Sequence, residues 1–391
     1  MPNNTELIAS IEALLAEAKA YDVEKPDRVT RAKMLGIVEG LHYQLESPAE
    51  AMFRQLTNYS ETSAVRTLRQ MEVLEKVPRN EPITAKQLAA VTGKNEEVLS
   101  TGILKSCEGG AFAHTPLSLA YIDTAEVEFW DLCVDEIAPV AYALPGYMAS
   151  HESDSILNPK KSPYSWANNS EGKSFYEVLL DHPDRLKRFN TAMTTQENAL
   201  PVLGMFPFAS LLDKGTCYSR SFIVDVAGGR GQSLLQIKKE LEAVGGDMGK
   251  GRVILQDRKA VLDAVPDEQL PGIEKMVIDF FEPQPVKNAQ IYYLRRIMHN
   301  WQDAECRKIL QNIAGAMATD SRLLIGEMVV PEKPEGVDKT VYWMDLCMLI
   351  IGGKERSEKE FSDLLNSAGL RLVRIWRQTV GSQTVIECQL K

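Results

Sequence analysis

The texture of the chain changes near residue 215, and that change constrains the fold more than any other feature. Five short apolar runs follow: SFIVDVA (221–227), RVILQD (252–257), EKMVID (274–279), AQIYYLRR (289–296) and RLLIGEMVV (322–330). Helical patterns fall between most of them, notably QSLLQIKKELEAV and DAECRKILQNIAGAMA. Apolar strands alternating with helices predict an α/β fold, a mostly parallel sheet covered on both faces. The chain closes with LRLVRIWRQ and QTVIECQL around TVGS, a hairpin signal that predicts antiparallel last strands.

The first half reads differently. Residues 5–20 carry apolar side chains at helical spacing (Leu7, Ile8, Ile11, Leu14, Leu15, Ala18), with Thr5 as the expected N-cap. That stripe can pack on its own domain or on a second copy of the chain. From about 29 to 120 short helices follow one another. ITAKQLAAVTG, EEVLSTGILKSC and EGGAFAHT have the order helix, turn, helix and short hairpin expected of a winged helix. The net charge of -10 favours a dimerisation or scaffold role over DNA reading, which would need a basic face. A turn-rich stretch from Ser150 to Ser174 lies between two helical segments and marks the expected domain boundary. The expected organisation is a helical, winged-helix dimerisation domain over 1–150, a helical connection and substrate lid over 151–215, and the α/β domain over 216–391.

Six cysteines (Cys107, Cys133, Cys217, Cys306, Cys347 and Cys388) are scattered, with no CxxC pair. Such a pattern suits reduced thiols and predicts no metal site. The first twenty residues lack the basic and apolar regions of a signal peptide, and no run reaches the roughly 20 apolar residues of a membrane helix. The expectation is a cytoplasmic protein.

The chemistry concentrates at the ends of the predicted strands. The first runs into Gly228, Gly229 and Gly231 and then into a helix. Glycines there let a ligand approach the backbone, although a tight turn with no ligand would use them too. The position three after Gly231 is Leu234, so the dinucleotide pattern G-x-G-x-x-G is not met and a nicotinamide oxidoreductase is disfavoured. Asp225, within the strand, suits a cationic ligand better than a phosphate. The second strand closes on Asp257, able to accept from both hydroxyls of a ribose, and the third on Asp279 and Phe280, a carboxylate and a ring that suit an adenine. Each acid alone could be a helix cap, but three successive strand ends form the edge where open α/β sheets bind ligands. His299 lies just past the fourth strand, before a helix expected to be capped by Asp303. A lone histidine is commonly structural; at this edge it can also serve as a general base, with Glu327 and Glu355 as partners for its ring.

Taken in order, VDVAGGRG, LQDR, IDFF, LRRIMHNWQDAEC, IGEMVVPE and GGKERSEKEF resemble the small-molecule O-methyltransferases typified by plant caffeic acid O-methyltransferase, and within them the fungal natural-product members. The resemblance implies a class I methyltransferase domain with a seven-stranded, Rossmann-like sheet, and a winged-helix domain that forms a homodimer. It implies S-adenosyl-L-methionine as methyl donor, S-adenosyl-L-homocysteine as product, no metal, and an aromatic hydroxyl as acceptor. Residue by residue, Gly228 to Gly231 would lie under the methionine part of the donor, Asp257 would hold the ribose, and Asp279 with Phe280 the adenine. Arg295 stands where the family usually has a lysine near the donor. His299 matches the general base, and Glu327 and Glu355 the two acids that hold it. Asn300 replaces the aspartate that often follows the base, which would leave an imidazolium less stabilised. Phe189, Met193, Trp343, Met344 and Cys347 are expected around the substrate, although such residues at helical spacing also make ordinary core. With Asn300 and Arg296, a catalyst on the same fold that binds the donor but performs a pericyclic reaction or a dehydration stays open.

Overall fold

The computed structural model describes residues 4–95, 103–195, 201–211, 220–245, 251–332 and 339–391. They form two compact units that interleave along the chain: Met1–Ala20, Ile37–Pro139 and His182–Gln196 make the first, and Tyr21–Gly36, Val140–Asp181 and Glu197–Lys391 the second.

The chain begins with α1 (Asn4–Ala20), α2 (Arg28–Leu45) and α3 (Pro48–Gln70). Helix α1 starts at Asn4, so Thr5 lies inside it rather than capping it. Neither α1 nor α2 contains a buried residue. α3 opens with Pro48 and a capping box, in which the Ser47 hydroxyl accepts from the Glu50 N–H while the Glu50 carboxylate accepts from the Ser47 N–H. Next come β1 (Ile83–Thr84), α4 (Ala85–Thr92), β2 (Lys105–Cys107) and β3 (Ala111–Ala113), with strand order β1-β3-β2. The hairpin therefore begins at Lys105, earlier than the sequence pattern suggests; of the helix expected over 96–107, residues 96–102 lie outside the described residues and Lys105–Cys107 form β2 instead. Val65, Leu68, Val73, Leu74, Ile83 and Leu88 build the core of this unit. Helices α5 (Pro116–Asp123) and α6 (Val127–Leu132) follow. Buried Glu136 anchors α10 (Pro183–Thr194) through an ion pair with Arg185.

In the second unit α7 (Ala138–Ser150), α8 (Pro163–Ala167) and α9 (Phe175–Leu180) precede the sheet, and among the described residues no helix is long and apolar enough to cross a membrane. The sheet comprises β4 (Ser221–Val226), β5 (Arg252–Asp257), β6 (Glu274–Val277), β7 (Ile291–Arg295), β8 (Arg322–Val330), β10 (Leu370–Arg377) and β11 (Gln383–Leu390), in the order β10-β11-β8-β7-β4-β5-β6. The two-residue β9 (Arg356–Ser357) adds to the end of β8. Strands β4 to β8 pair in parallel, and β11 is antiparallel to both β8 and β10, as the terminal hairpin signal predicts. Helices α11 (Gln232–Ala243), α12 (Lys259–Asp263), α13 (Asp303–Ala314), α14 (Thr340–Ile351) and α15 (Glu358–Ser367) connect them. Alternate residues feed two cores: Val224, Val226, Tyr292 and Leu294 on one face, Ile223, Leu255, Ile291 and Tyr293 on the other. Burial on both faces is why these strands read as continuous apolar runs. The chain leaves β4 for β5 on one side and returns to β7 on the other, so the strand order reverses at the carboxyl end of β4, the place where such sheets open a crevice.

Candidate active site

The turn after β4 is shaped by steric demand. Ala227, Gly229 and Gly231 have φ of 59°, 62° and 82°, left-handed values that glycine adopts without strain. A β-carbon on Gly228 would collide with the Asp225 carboxylate and with Leu255, and one on Gly231 would sit 2.7 Å from Leu270. The Gly229 N–H donates to Asp257 Oδ2 at 2.9 Å, tying this turn to the end of β5. Asp225 lies beneath it, 1% exposed, and among the described residues neither carboxylate oxygen has a hydrogen-bond partner. Burial pushes its carboxyl up to about 7, with Arg295 working against the rise and Asp257 adding to it. Burial also raises Asp257, against the hydrogen bonds it accepts from the N–H groups of Arg258 and Gly229. β6 ends at Val277, two residues short of the predicted end, so Asp279 and Phe280 stand in the loop beyond it. Asp279 is exposed and accepts from the Phe281 N–H at 2.9 Å. Phe280 packs edge-on against Phe281 and Trp301.

The second cluster is assembled from three segments. His299 is 6% exposed, on the single turn Met298–Asn300 that follows β7. Its Nδ1 lies 2.8 Å from Glu355 Oε1 and 3.6 Å from Glu327 Oε2. Glu327 comes from β8, and its Oε1 accepts from the N–H groups of Ile297, Met298 and His299 at 2.9, 2.8 and 3.4 Å. Glu355 precedes β9, and its own N–H donates to Asp345 of α14 at 3.1 Å. Burial alone would discharge the imidazole, but Glu327 and Glu355 outweigh it and hold the histidine above its ordinary value. Burial raises Glu327 in turn, with His299 opposing.

Several residues that hold this cluster were not singled out by the sequence reading. Arg356, with none of its surface exposed, donates to the carbonyls of Met298 and Trp301 at 3.0 and 2.8 Å and to Asp303 at 2.8 Å. It clamps the His299 turn from below. Its neighbourhood to Glu355 in GGKER was the available signal. Asp303 is therefore the first residue of α13 and the partner of Arg356, while Gln302 occupies the cap position. Gly353 admits the His299 carbonyl where a β-carbon would collide, and the Lys354 N–H donates to that carbonyl at 2.8 Å. Asn300 turns its amide to the Arg296 carbonyl, 3.0 Å away. Tyr176 of α9, its phenol pushed up to about 12 by burial against the pull of Arg296 and Arg258, left no signal in the sequence.

Of the expected substrate residues, Trp343, Met344 and Cys347 stand together on α14, the first 39% exposed and the other two buried. Phe189 and Met193 stand on α10 in the first unit, both half-buried. His299, Glu327 and Glu355 bring together three potential ligand atoms within 4.8 Å of one another.

A sheet whose order reverses at a glycine turn, with a buried carboxylate under that turn and acids at the end of β5 and just beyond β6, has the architecture of a class I, S-adenosylmethionine-dependent transferase. The O-methyltransferase domain family matches residues 152–371, and the chain belongs to that family. It is 36% identical over 400 residues to the O-methyltransferase hmp5 of Hypomyces subiculosus, covering 100% of this chain and 99% of the relative. Among solved structures it is similar to a pericyclic reaction enzyme (TM-score 0.84, 25% identity, covering 99% of this chain and 100% of that one). It is also similar to OxaC in complex with S-adenosylhomocysteine and oxaline (TM-score 0.81, 26% identity, 99% of each chain). The protein is thus an S-adenosylmethionine-dependent O-methyltransferase by family, with fungal natural-product enzymes as its relatives.

Proposed function

We propose that the protein methylates a hydroxyl, phenolic in character, on a small-molecule secondary metabolite, with His299 as the general base. The observation that carries this reading is the buried His299, Glu355 and Glu327 cluster one strand away from the unpaired carboxylate of Asp225. The donor, when bound, supplies an electrophilic methyl group on a sulfonium. Asp225 offers a buried anion to a cationic ligand, Gly228, Gly229 and Gly231 let its backbone side approach, and Asp257 is placed for ribose hydroxyls. Asp279 and Phe280 suit the adenine, and Arg295 modulates the charge of Asp225. Glu355 fixes the imidazole with Nδ1 committed as a donor, which leaves Nε2 to take the hydroxyl proton. A proton at Nδ1, rather than a metal ion, is the natural occupant between that nitrogen and Glu355. A phenol near pKa 10 is mostly protonated at neutral pH, so such a base contributes about 10²–10⁴-fold. Trp343, Met344 and Cys347 of α14 are assigned to the substrate pocket.

The exposed side chains Ile8, Ile11, Leu15, Met52, Phe53 and Leu56 on α1 and α3 support a homodimer through the N-terminal helices. Light scattering is expected to report twice the 43.6 kDa chain mass, and a single 43.6 kDa species at micromolar concentration would refute the dimer. Cys107, Cys133, Cys306, Cys347 and Cys388 form no disulfide among the described residues, which fits a cytoplasmic location; Cys217 lies outside the described residues. The similarity to a pericyclic reaction enzyme keeps a second reading, conversion of the substrate without methyl transfer, on the same fold. Incubation with labelled S-adenosylmethionine and a panel of phenolic polyketides separates the two. Methyl transfer releases S-adenosylhomocysteine with each product; a substrate converted at unchanged methyl count without that release would decide for the second reading.

A further inference from the structure

The turn that carries His299 starts from a residue in a backbone region that side chains avoid. Arg296 has φ of 56°, where a β-carbon costs about 1–2 kcal/mol and glycine or asparagine sits more cheaply. Both sides of that residue are pinned. Its N–H donates to the Gly326 carbonyl at 3.0 Å, and its own carbonyl accepts from the Asn300 amide at 3.0 Å. The side chain therefore leaves a rigid point three residues before His299. Among the described residues its guanidinium takes part in no hydrogen bond or ion pair. Other arginines withdrawn from solvent behave differently: half-buried Arg66 and Arg69 each reach an aspartate at 2.6 Å, and fully buried Arg356 is held by a carboxylate and backbone carbonyls. Burial lowers Arg296 to about 10, Arg295 pushes the same way, and Glu327, Glu355 and Tyr176 oppose, so it stays cationic at neutral pH within the field of the His299 cluster. A partly desolvated cation without a partner is costly, and the cost is recovered when an oxygen ligand arrives.

We propose that Arg296 binds a second oxygen of the methyl acceptor, and that the preferred acceptor is a hydroxyl conjugated to a carbonyl, as in an ortho-acylphenol or the enol of a β-diketone. This rests on the methyl-transfer reading of the site. When His299 takes the hydroxyl proton, the negative charge of such an acceptor spreads from the phenolic oxygen to the carbonyl oxygen. The planar fork of Arg296 meets that second oxygen with N–H donors and stabilises the anion. The acceptor oxygen then forms its bond to the methyl carbon as the sulfur–methyl bond breaks, the donor leaves as a neutral thioether, and the imidazolium returns its proton to solvent. A phenol lacking the carbonyl presents nothing to the fork.

The test uses pairs of acceptors that differ only in that carbonyl, ortho-acylphenols against the matching ortho-alkylphenols. Each is measured by S-adenosylhomocysteine release and, separately, by calorimetric binding to the full-length protein saturated with S-adenosylhomocysteine. The wild-type protein is expected to prefer the acyl member by about tenfold or more in both readouts, the size of one charge-assisted hydrogen bond. In R296N, whose side chain suits the positive φ and so preserves folding, that preference is expected to fall to within about threefold. R296K keeps the charge, loses the fork and is expected to lie between. An undiminished preference in R296N, or a wild-type protein that does not discriminate, would overturn the proposal. If an Arg296-dependent binding preference persists while no S-adenosylhomocysteine is released, the methyl-transfer reading fails and the oxygen site stands. Methyl transfer without any carbonyl preference is the reverse outcome.

Discussion

Two buried acidic sites, Asp225 and the Glu327–Glu355 pair, sit on one sheet edge and are built differently. Under the glycine turn, Asp225 has no hydrogen-bond partner for either oxygen among the described residues, and burial holds much of it protonated near neutrality. Two strands across, on β8, Glu327 accepts three backbone N–H groups through one oxygen, and Glu355 is locked to His299 at 2.8 Å. An acid without internal partners is poised to exchange its proton for a cationic ligand. An acid supplied with donors is fixed in place and can only orient what it touches. In the proposed function, the first cluster binds the donor and the second handles the proton.

The most damaging single change is expected in the second cluster. His299→Ala should lower turnover by about 10²–10⁴-fold with cofactor affinity little altered, and the remaining activity should climb with pH as ionised phenol replaces the missing base. Steady-state kinetics paired with calorimetry check this, and activity insensitive to the substitution would remove His299 from the mechanism.

Arg356→Met removes the clamp beneath the same turn and leaves the Met298 and Trp301 carbonyls without their donors. The expected cost is about 3 kcal/mol of stability together with a loss in turnover. Denaturant unfolding that shows a change below about 0.5 kcal/mol, the scatter of a surface substitution, would mean the clamp is not structural.

The first cluster is probed by Asp225→Asn, which mimics the neutral acid. The sign follows from the raised carboxyl. The folded protein holds the proton more tightly than the unfolded chain, so this contribution to stability is full below about 4 and is lost as pH rises through about 7. Without cofactor, the variant is therefore expected to be more stable than the wild type above pH 7, by about 1–3 kcal/mol, and of similar stability in acid. It should nonetheless bind S-adenosylmethionine at least about tenfold more weakly. Thermal unfolding across pH with titration calorimetry reads both effects, and a variant destabilised throughout would show that Asp225 has a structural partner instead.

The smallest effect is the acid limb of the pH–rate profile. His299 is held above its ordinary 6.5 by Glu327 and Glu355, and only the neutral ring can accept a proton. The limb should therefore fall above 6.5, and Glu355→Gln should move it down while costing less turnover than His299→Ala. A limb that stays in place would uncouple the acid from the base.

The sheet and the first cluster were legible in the sequence because they are local. Alternating apolar runs encode strands buried on both faces, and the residues of VDVAGGRG touch one another within a single turn, so their order along the chain is their order in space. The second cluster was legible only in part. His299, Glu327 and Glu355 could be named from motif order, but the 2.8 Å contact joins residues 56 positions apart, a separation that only the folded chain closes. Arg356, Gly353 and Tyr176 act through such closures, and no periodicity marks them. Helix limits shifted where caps compete: Asp303 looked like a cap, yet its carboxylate goes to Arg356 and leaves Gln302 at that position. By itself, then, the sequence determined the α/β sheet, its antiparallel end and the glycine turn, since short-range sterics and burial periodicity specify those. Which carboxylates are paired, and which arginine is left for a ligand, only the tertiary structure decided, because charge pairing depends on distances across the fold that spacing along the chain does not encode.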